Sequence, residues 1–288
     1  MSLFYKLGGI TLQTEDYFDE KAKHELSFYE TEPTENPDMR ITMHFNCEDI
    51  VLPPCTLVAE VNKRHWCTTP DGGYLFYDKI IEYSDKIFNL MVTDDGFRNV
   101  EIWLCPKELL KITQDRRPYY IIQEILRYAI LLYDGLIIHS SSLAYQNQGL
   151  LFSAPSGTGK STHTGLWKKY APGTEIVNDD MPIICIEDGT PYLYGAPWSG
   201  KSVIHKNVRV PLKAIIFLER GETCSLTKMD SIEAVWRMLA AVRKPAIPLL
   251  GEKNLELLSI LLETLPAYLL KCDISEEAVK TAMQALEL

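Results

Sequence analysis

Leu151-Phe152-Ser153-Ala154-Pro155-Ser156-Gly157-Thr158-Gly159-Lys160-Ser161-Thr162 is the stretch on which the reading of this chain turns. An apolar strand at residues 149–152 enters a glycine-bearing loop, and a helix leaves it from Ser161 to about Tyr170. In a strand–loop–helix of this kind successive backbone N–H groups face one concavity, and the helix dipole adds positive potential there. Gly157 and Gly159 permit backbone conformations and close approaches that side chains would block. Lys160 is placed to reach β- and γ-phosphates, and the Ser161 hydroxyl to ligand Mg²⁺, which prefers oxygen. Ala154 stands where the strict phosphate-loop pattern has its first glycine, a change that a compatible backbone angle tolerates. Ala154, Ser156, Gly157, Thr158, Gly159, Lys160, Ser161 and Thr162 are therefore expected to bind a nucleoside triphosphate, ATP or GTP, with Mg²⁺.

A phosphate loop alone says nucleotide; its neighbours say more. Downstream, Val177-Asn178-Asp179-Asp180 ends a strand. Paired carboxylates there serve two needs of phosphoryl transfer, a ligand to the metal and a base for an acceptor hydroxyl. Their mutual repulsion is relieved by a nearby divalent ion. Glu187-Asp188 is a rival source of the metal ligand, set against its reading as an acidic turn completed by Gly189. Upstream, His139 ends a short apolar strand at residues 136–138 and precedes Ser140-Ser141-Ser142. If that strand pairs with the one entering the loop, His139 lies close to the phosphates.

These three segments together resemble the kinase domain of HPr kinase/phosphorylase, a bacterial protein-serine kinase, and its relatives with a phosphoenolpyruvate carboxykinase-like core. The resemblance rests on Gly135-Leu136-Ile137-Ile138-His139, on Ser156-Gly157-Thr158-Gly159-Lys160-Ser161 and on Asn178-Asp179-Asp180, and spans roughly residues 120–220. It implies an α/β fold with mixed sheets around the loop helix. It also implies His139 near the transferred phosphate, Asp179 as acid/base and Asp180 supporting the metal. ATP and Mg²⁺ are the expected cofactors, and a hydroxyl of a protein, peptide or small molecule is the expected acceptor. Two departures point away from HPr itself. Thr162 stands where the HPr-specific enzyme has Glu, and Tyr194-Gly195-Ala196-Pro197-Trp198-Ser199-Gly200-Lys201 replaces its glycine-rich segment. A non-catalytic nucleotide sensor of the same fold is the alternative. Carboxykinase activity is not expected, since those enzymes are much longer and their second metal site has no match here.

Within that divergent segment Lys201 is a candidate to offset charge on the transferred group, and Trp198 to wall the pocket or pack the loop. His205, Lys206, Arg209 and Lys213 form the densest basic stretch, read either as phosphate contacts or as a solvated edge; Arg243-Lys244 is a further candidate.

The remainder sets the frame. The 288 residues are 46% hydrophobic and 24% charged, which suits a globular chain with a sizeable core. A formal charge of -10 argues against nucleic acid or an anionic membrane as partner. Seven scattered cysteines without a Cys-x-x-Cys pair suit free thiols, and no secretory signal is visible, so a cytoplasmic location is expected. Residues 1–115 read as a β-rich domain: Ile41 and Met43, then Tyr74 and Phe76 after a Pro70-Asp71-Gly72-Gly73 turn, then Val100, Ile102 and Leu104 alternate. An antiparallel sheet is expected, serving acceptor recognition or homo-oligomer assembly. Residues 116–288 read as the phosphate-loop domain. Ile121, Ile122, Ile125, Leu126 and Ala129 share one helical face, and the last 55 or so residues are expected to be largely helical.

Overall fold

The structure, a computed structural model, describes residues 2–61, 63–79, 86–112, 115–200, 203–242 and 244–288. The chain forms two compact units, Met1–Leu132 with Pro245–Glu252, and Tyr133–Lys244 with Lys253–Leu288. Both are of mixed α/β character.

The first unit is built on one eight-stranded sheet. Its strands are β1 (Ser2–Leu7), β2 (Ile10–Glu15), β3 (Met39–His44), β4 (Thr56–Val61), β5 (Arg64–Thr68), β6 (Tyr74–Lys79), β7 (Ile87–Thr93) and β8 (Asn99–Leu104). They lie in the order β1-β2-β3-β8-β7-β6-β5-β4. Successive pairs from β4 to β8 are antiparallel, as their short turns dictate. The expectation of an antiparallel sheet fails at β3, which pairs parallel with both β2 and β8. The cause lies in the connection: helix α1 (Glu20–Ser27) is inserted after β2, so the chain returns to the same end of the sheet before β3 begins. Helix α2 (Arg117–Ala129) carries Pro118 in its first turn and buries Ile121, Ile122, Ile125, Leu126 and Ala129. Tyr128 meets Trp66 of β5 edge-on, with ring centroids 4.7 Å apart. A 3₁₀ turn at Ile130–Tyr133 follows, and Asp134, with φ 55°, takes the left-handed position ahead of Gly135.

The second unit contains β9 (Gly135–Ile137), β10 (Ser141–Tyr145), β11 (Gln148–Ser153), helix α3 (Lys160–Tyr170), β12 (Glu175–Asn178), β13 (Ile183–Glu187), β14 (Thr190–Tyr194) and the long β15 (Arg209–Arg220). β16 (Ser225–Lys228), α4 (Ser231–Ala241), most of α5 (Pro248–Thr264), β17 (Ala267–Cys272) and α6 (Glu276–Leu286) complete it. The strand order is β12-β10-β11-β15-β14-β13-β9, with β17 also on β15 and β16 on β17. β15 joins two faces of the design. Its first residues pair antiparallel with β14, and its later ones pair parallel with β11 and β17. Alternation along these strands sends Leu150 and Phe152, Ala214, Ile216 and Leu218, and Leu270 into one cluster. Trp167 of α3 and Val279, Ala282 and Leu286 of α6 close that cluster. The expected C-terminal helices α4, α5 and α6 are present, but β16 and β17 are interleaved with them. Pro266 follows the end of α5, and the run Ala267–Cys272 is too short for a helix and long enough for an inner strand.

Candidate functional site

The site assembles where three connections of the second unit meet. β11 leads into the loop 154–159, and α3 begins at Lys160 with Gly159 as its N-cap. Gly157 and Gly159 take φ of 79° and 122°. A Cβ on Gly157 would meet nothing within 4 Å, so the demand for glycine there is conformational rather than spatial. Ala154 is not among the residues with positive φ, which is why a methyl is tolerated at that position. Ser156, Ser161 and Thr162 are exposed, Thr158 is half-buried, and Lys160 is 9% exposed. The loop is braced by Arg220, whose guanidinium donates to the carbonyl oxygens of Gly157 (2.8 Å) and Thr158 (3.4 Å).

His139 does not reach the loop in the way the apolar strand before it suggests. That strand, β9, pairs with β13, whereas the partners of β11 are β15 and β10, the latter formed by the serine run that follows His139. Residues 138–140 are instead held between two other segments. His139 N–H donates to Ala241 O (2.9 Å), and Ser140 N–H donates to Asp180 O (3.1 Å). The result still brings His139 to the loop lysine: Nε2 lies 3.2 Å from Lys160 Nζ, and Nδ1 lies 3.0 Å from Asp180 Oδ1. Lys160 also donates to Ala154 O at 2.9 Å. An ammonium is only a donor, so Nε2 accepts and the imidazole proton sits on Nδ1, facing Asp180. Burial lowers the Lys160 pKa, opposed by the charges of Asp180 and Asp179.

Asp179 is positioned through hydroxyls. Ser141 Oγ lies 2.8 Å from Asp179 Oδ1 and 2.9 Å from Thr164 Oγ1 of α3. A serine has one proton to give; with Ser141 donating to the carboxylate, the contact with Thr164 draws on the threonine proton, for which Ser161 O at 3.2 Å competes. The carboxylate is thus wired to the first turns of the loop helix. Asn178, fully buried, fixes the turn that carries both acids. Its Oδ1 accepts from the N–H of Asp180 (2.9 Å) and Met181 (2.6 Å), and its Nδ2 donates to Ala196 O (2.8 Å) and Trp198 O (2.9 Å). This side chain ties the Trp198 segment to the acids, and Gly200 lies against them, its position for a Cβ 3.5 Å from Asp180 Cβ. Lys201 and Arg243 lie outside the described residues.

Other candidates are drawn elsewhere. Glu187 pairs with Arg209 and Tyr194, and Asp188 and Gly189, both with positive φ, close the β13–β14 hairpin. This is the acidic-turn reading. Lys206 pairs with Glu175 at 2.5 Å, and Arg209 lies over the Tyr192 ring at 3.6 Å, so both are engaged in local structure. Lys213 is half-buried and Lys244 exposed. The residues that sequence reasoning missed are Ser141, Thr164 and Arg220, and the side-chain role of Asn178. The serine run was visible, but nothing in it singles out Ser141 until β10 sets its neighbours.

The groups that the sequence offers a divalent ion are oxygen donors, the Ser161 hydroxyl and the Asp180 carboxylate. Among the described residues no group of three or more His, Cys, Asp or Glu could hold a metal by itself. Such a set fits Mg²⁺, which takes its remaining ligands from phosphates and water.

No protein-family model matches the chain, and no curated protein matches it. Among solved structures it is similar to the Hpr(Ser) kinase/phosphatase from Coxiella burnetii, at 12% identity over 52% of this chain and 91% of that one, with a TM-score of 0.30. A likeness that slight decides nothing about this chain. Among the described residues no helix is long and apolar enough to cross a membrane.

Proposed function

We propose that this protein transfers the γ-phosphoryl group of ATP to a hydroxyl of a protein, a peptide or a small molecule. One observation carries the reading: Lys160, His139 and Asp180 form a continuous hydrogen-bonded row beside a strand–glycine loop–helix, with Asp179 anchored to the same helix. The sequence resemblance at Ser156–Ser161, His139 and Asn178–Asp180 supports it.

In this reading the backbone of 156–161 and the Lys160 ammonium hold the polyphosphate and offset its charge. The acceptor oxygen attacks the γ-phosphorus, its proton passes to Asp179, and the bond from γ-phosphorus to the bridging oxygen breaks as ADP leaves. Ser141 keeps the Asp179 carboxylate oriented for that proton. His139, set by Asp180, presents Nε2 toward Lys160 and steadies the ammonium. When bound by Ser161 and Asp180, Mg²⁺ supplies further neutralisation of phosphate charge. Little covalent chemistry is asked of the protein; the work is positioning and charge compensation. Thr162 and the segment 194–201 make HPr an unexpected acceptor.

The test is to incubate the full chain with γ-labelled ATP, Mg²⁺ and an extract of its host. A labelled species formed by the unaltered protein and lost in Asp179→Asn supports the kinase reading. Nucleotide binding without transfer to any component supports the sensor alternative and overturns the kinase reading.

A further inference from the structure

All seven cysteines are free thiols, and six of them fall into neighbouring pairs: Cys47 with Cys105, Cys55 with Cys67, and Cys224 with Cys272. In the first two pairs one partner, Cys105 or Cys67, is only 1% exposed, which shuts out a reagent. Cys224 and Cys272 are both half-buried. We propose that Cys224 and Cys272 are a reactive dithiol, a modification site that small neutral disulfides convert to an intrachain bridge. The proposal does not depend on the reading of residues 154–161.

Register is the first argument. β16 and β17 are antiparallel, with Thr227 across from Leu269 and Ser225 across from Lys271. Met229 N–H donates to Ala267 O (2.9 Å), so 229/267, 227/269 and 225/271 are the hydrogen-bonded pairs of the ladder. One step further along, Cys224 stands across from Cys272 in a position of the other kind. The Cys272 carbonyl bears this out, since it turns away from β16 and accepts from Gly221 N–H (3.0 Å). Non-hydrogen-bonded pairs bring their Cα atoms to about 4.5 Å with side chains on one face. That falls inside the span of about 4.4–6.8 Å that a disulfide bridges.

Access and reactivity are the second argument. Cys272 borders an open space of about 230 Å³, and Cys224 lies in the crossover 221–224 from β15 to β16. The two sulfurs are not equivalent. Burial pushes the Cys272 thiol up to about 11, so at neutral pH it keeps its proton. Cys224 Sγ lies 3.5 Å from Asp273 Oδ1, an oxygen that Ser275 holds through its N–H (3.0 Å) and its hydroxyl (2.5 Å). The carboxylate repels an anionic reagent, which is why a neutral disulfide is the oxidant. In the first step Cys224 gives its proton to solvent and its sulfur attacks the reagent. A new S–S bond forms, the old one breaks, and one small thiol leaves after taking up a proton. In the second step the Cys272 sulfur attacks the Cys224 sulfur and loses its proton to the departing second small thiol. Two thiols are oxidised and one reagent disulfide is reduced.

The test exposes the reduced, folded full chain to excess hydroxyethyl disulfide at neutral pH, followed by acid quench, thiol counting in denaturant and peptide mapping without reductant. The count of seven thiols should fall by two, with Cys224 linked to Cys272 in the map. Cys272→Ser should stop at a mixed disulfide on Cys224, and Cys224→Ser should form no bridge. Cys55→Ser, which breaks a different pair, should still form the bridge between Cys224 and Cys272. Urea midpoints of the reduced variants, matched to that of the unaltered chain, report that each is folded. An unchanged thiol count overturns the proposal. So does a bridge that joins other cysteines or two chains, or a pair of separate mixed disulfides on Cys224 and Cys272.

Discussion

Nδ1 of His139 stands 3.0 Å from Oδ1 of Asp180, with the opposite ring nitrogen 3.2 Å from Lys160 Nζ. The imidazole is thereby the link between the acid pair and the phosphate-loop lysine. Neither carboxylate of Asp179 or Asp180 makes an ion pair with Lys160 within 4.0 Å among the described contacts, and the lysine answers to them through the ring and through longer-range charge.

His139→Ala should therefore lower the rate of phosphoryl transfer by about 10²-fold, the scale of one positioned polar group, with a smaller effect on ATP affinity. His139→Asn, which keeps a hydrogen-bonding side chain of shorter reach, should fall between. Single-turnover transfer and equilibrium ATP binding, measured on the same preparations, separate the two effects. Unchanged transfer in His139→Ala would remove the ring from the chemistry.

Asp179 and its hydroxyl support make a second, graded prediction. Asp179→Asn removes the proton acceptor and should reduce transfer by about 10³-fold or more while ATP still binds. Ser141→Ala removes only the 2.8 Å hydrogen bond that orients the carboxylate, and should reduce transfer by about tenfold. The order of the two effects is the check. A Ser141→Ala defect as deep as that of Asp179→Asn would move the proton-accepting role away from Asp179.

Much of this site was legible in the chain, for a physical reason: glycine at φ of 79° and 122°, a lysine after it and a helix from that lysine are local consequences of local residues. The acid pair was legible too, since a strand end fixes Asn178-Asp179-Asp180 as a turn. What was not legible depends on pairing across distance. β9 looks like the neighbour of β11 because it is the nearest apolar run, yet its partner is β13, and the serine run supplies β10. The parallel placement of β3 and the insertion of β17 beside β15 are of the same kind. Periodicity tells which face of a strand is buried, not which strand lies next to it. Arg220 escaped notice because its contact with Gly157 joins residues 63 positions apart.

Asn178 makes the third prediction, one of stability. All four hydrogen-bonding positions of its amide are used in a fully buried setting. Asn178→Asp keeps the shape but turns an oxygen toward the carbonyls of Ala196 and Trp198 in place of two N–H donors. It should destabilise the fold by about 3 kcal/mol or more, from repulsion and a buried charge. Urea unfolding at neutral pH reads this directly. A loss under about 1 kcal/mol would mean that the 196–198 segment is held by other contacts.

The fourth prediction concerns acid. His163 is 3% exposed, accepts the Trp167 indole N–H at Nε2 (3.2 Å), and has no partner for Nδ1 among the described residues. Burial lowers its pKa from 6.5 to about 4. The unfolded chain therefore takes up a proton on this ring as pH falls below 6.5, while the folded chain refuses it until about pH 4. The stabilising contribution is complete above pH 6.5 and drains away as pH drops toward 4, by roughly 3 kcal/mol in all. His163→Phe removes the titrating group and, with it, the Trp167 acceptor. It should start less stable at pH 7, yet lose less on acidification. Urea midpoints at closely spaced pH values from 7 to 4 give both slopes, and the difference between them is the quantity that counts. Parallel slopes for the two proteins would show that the folded chain admits a proton at His163 as readily as water does.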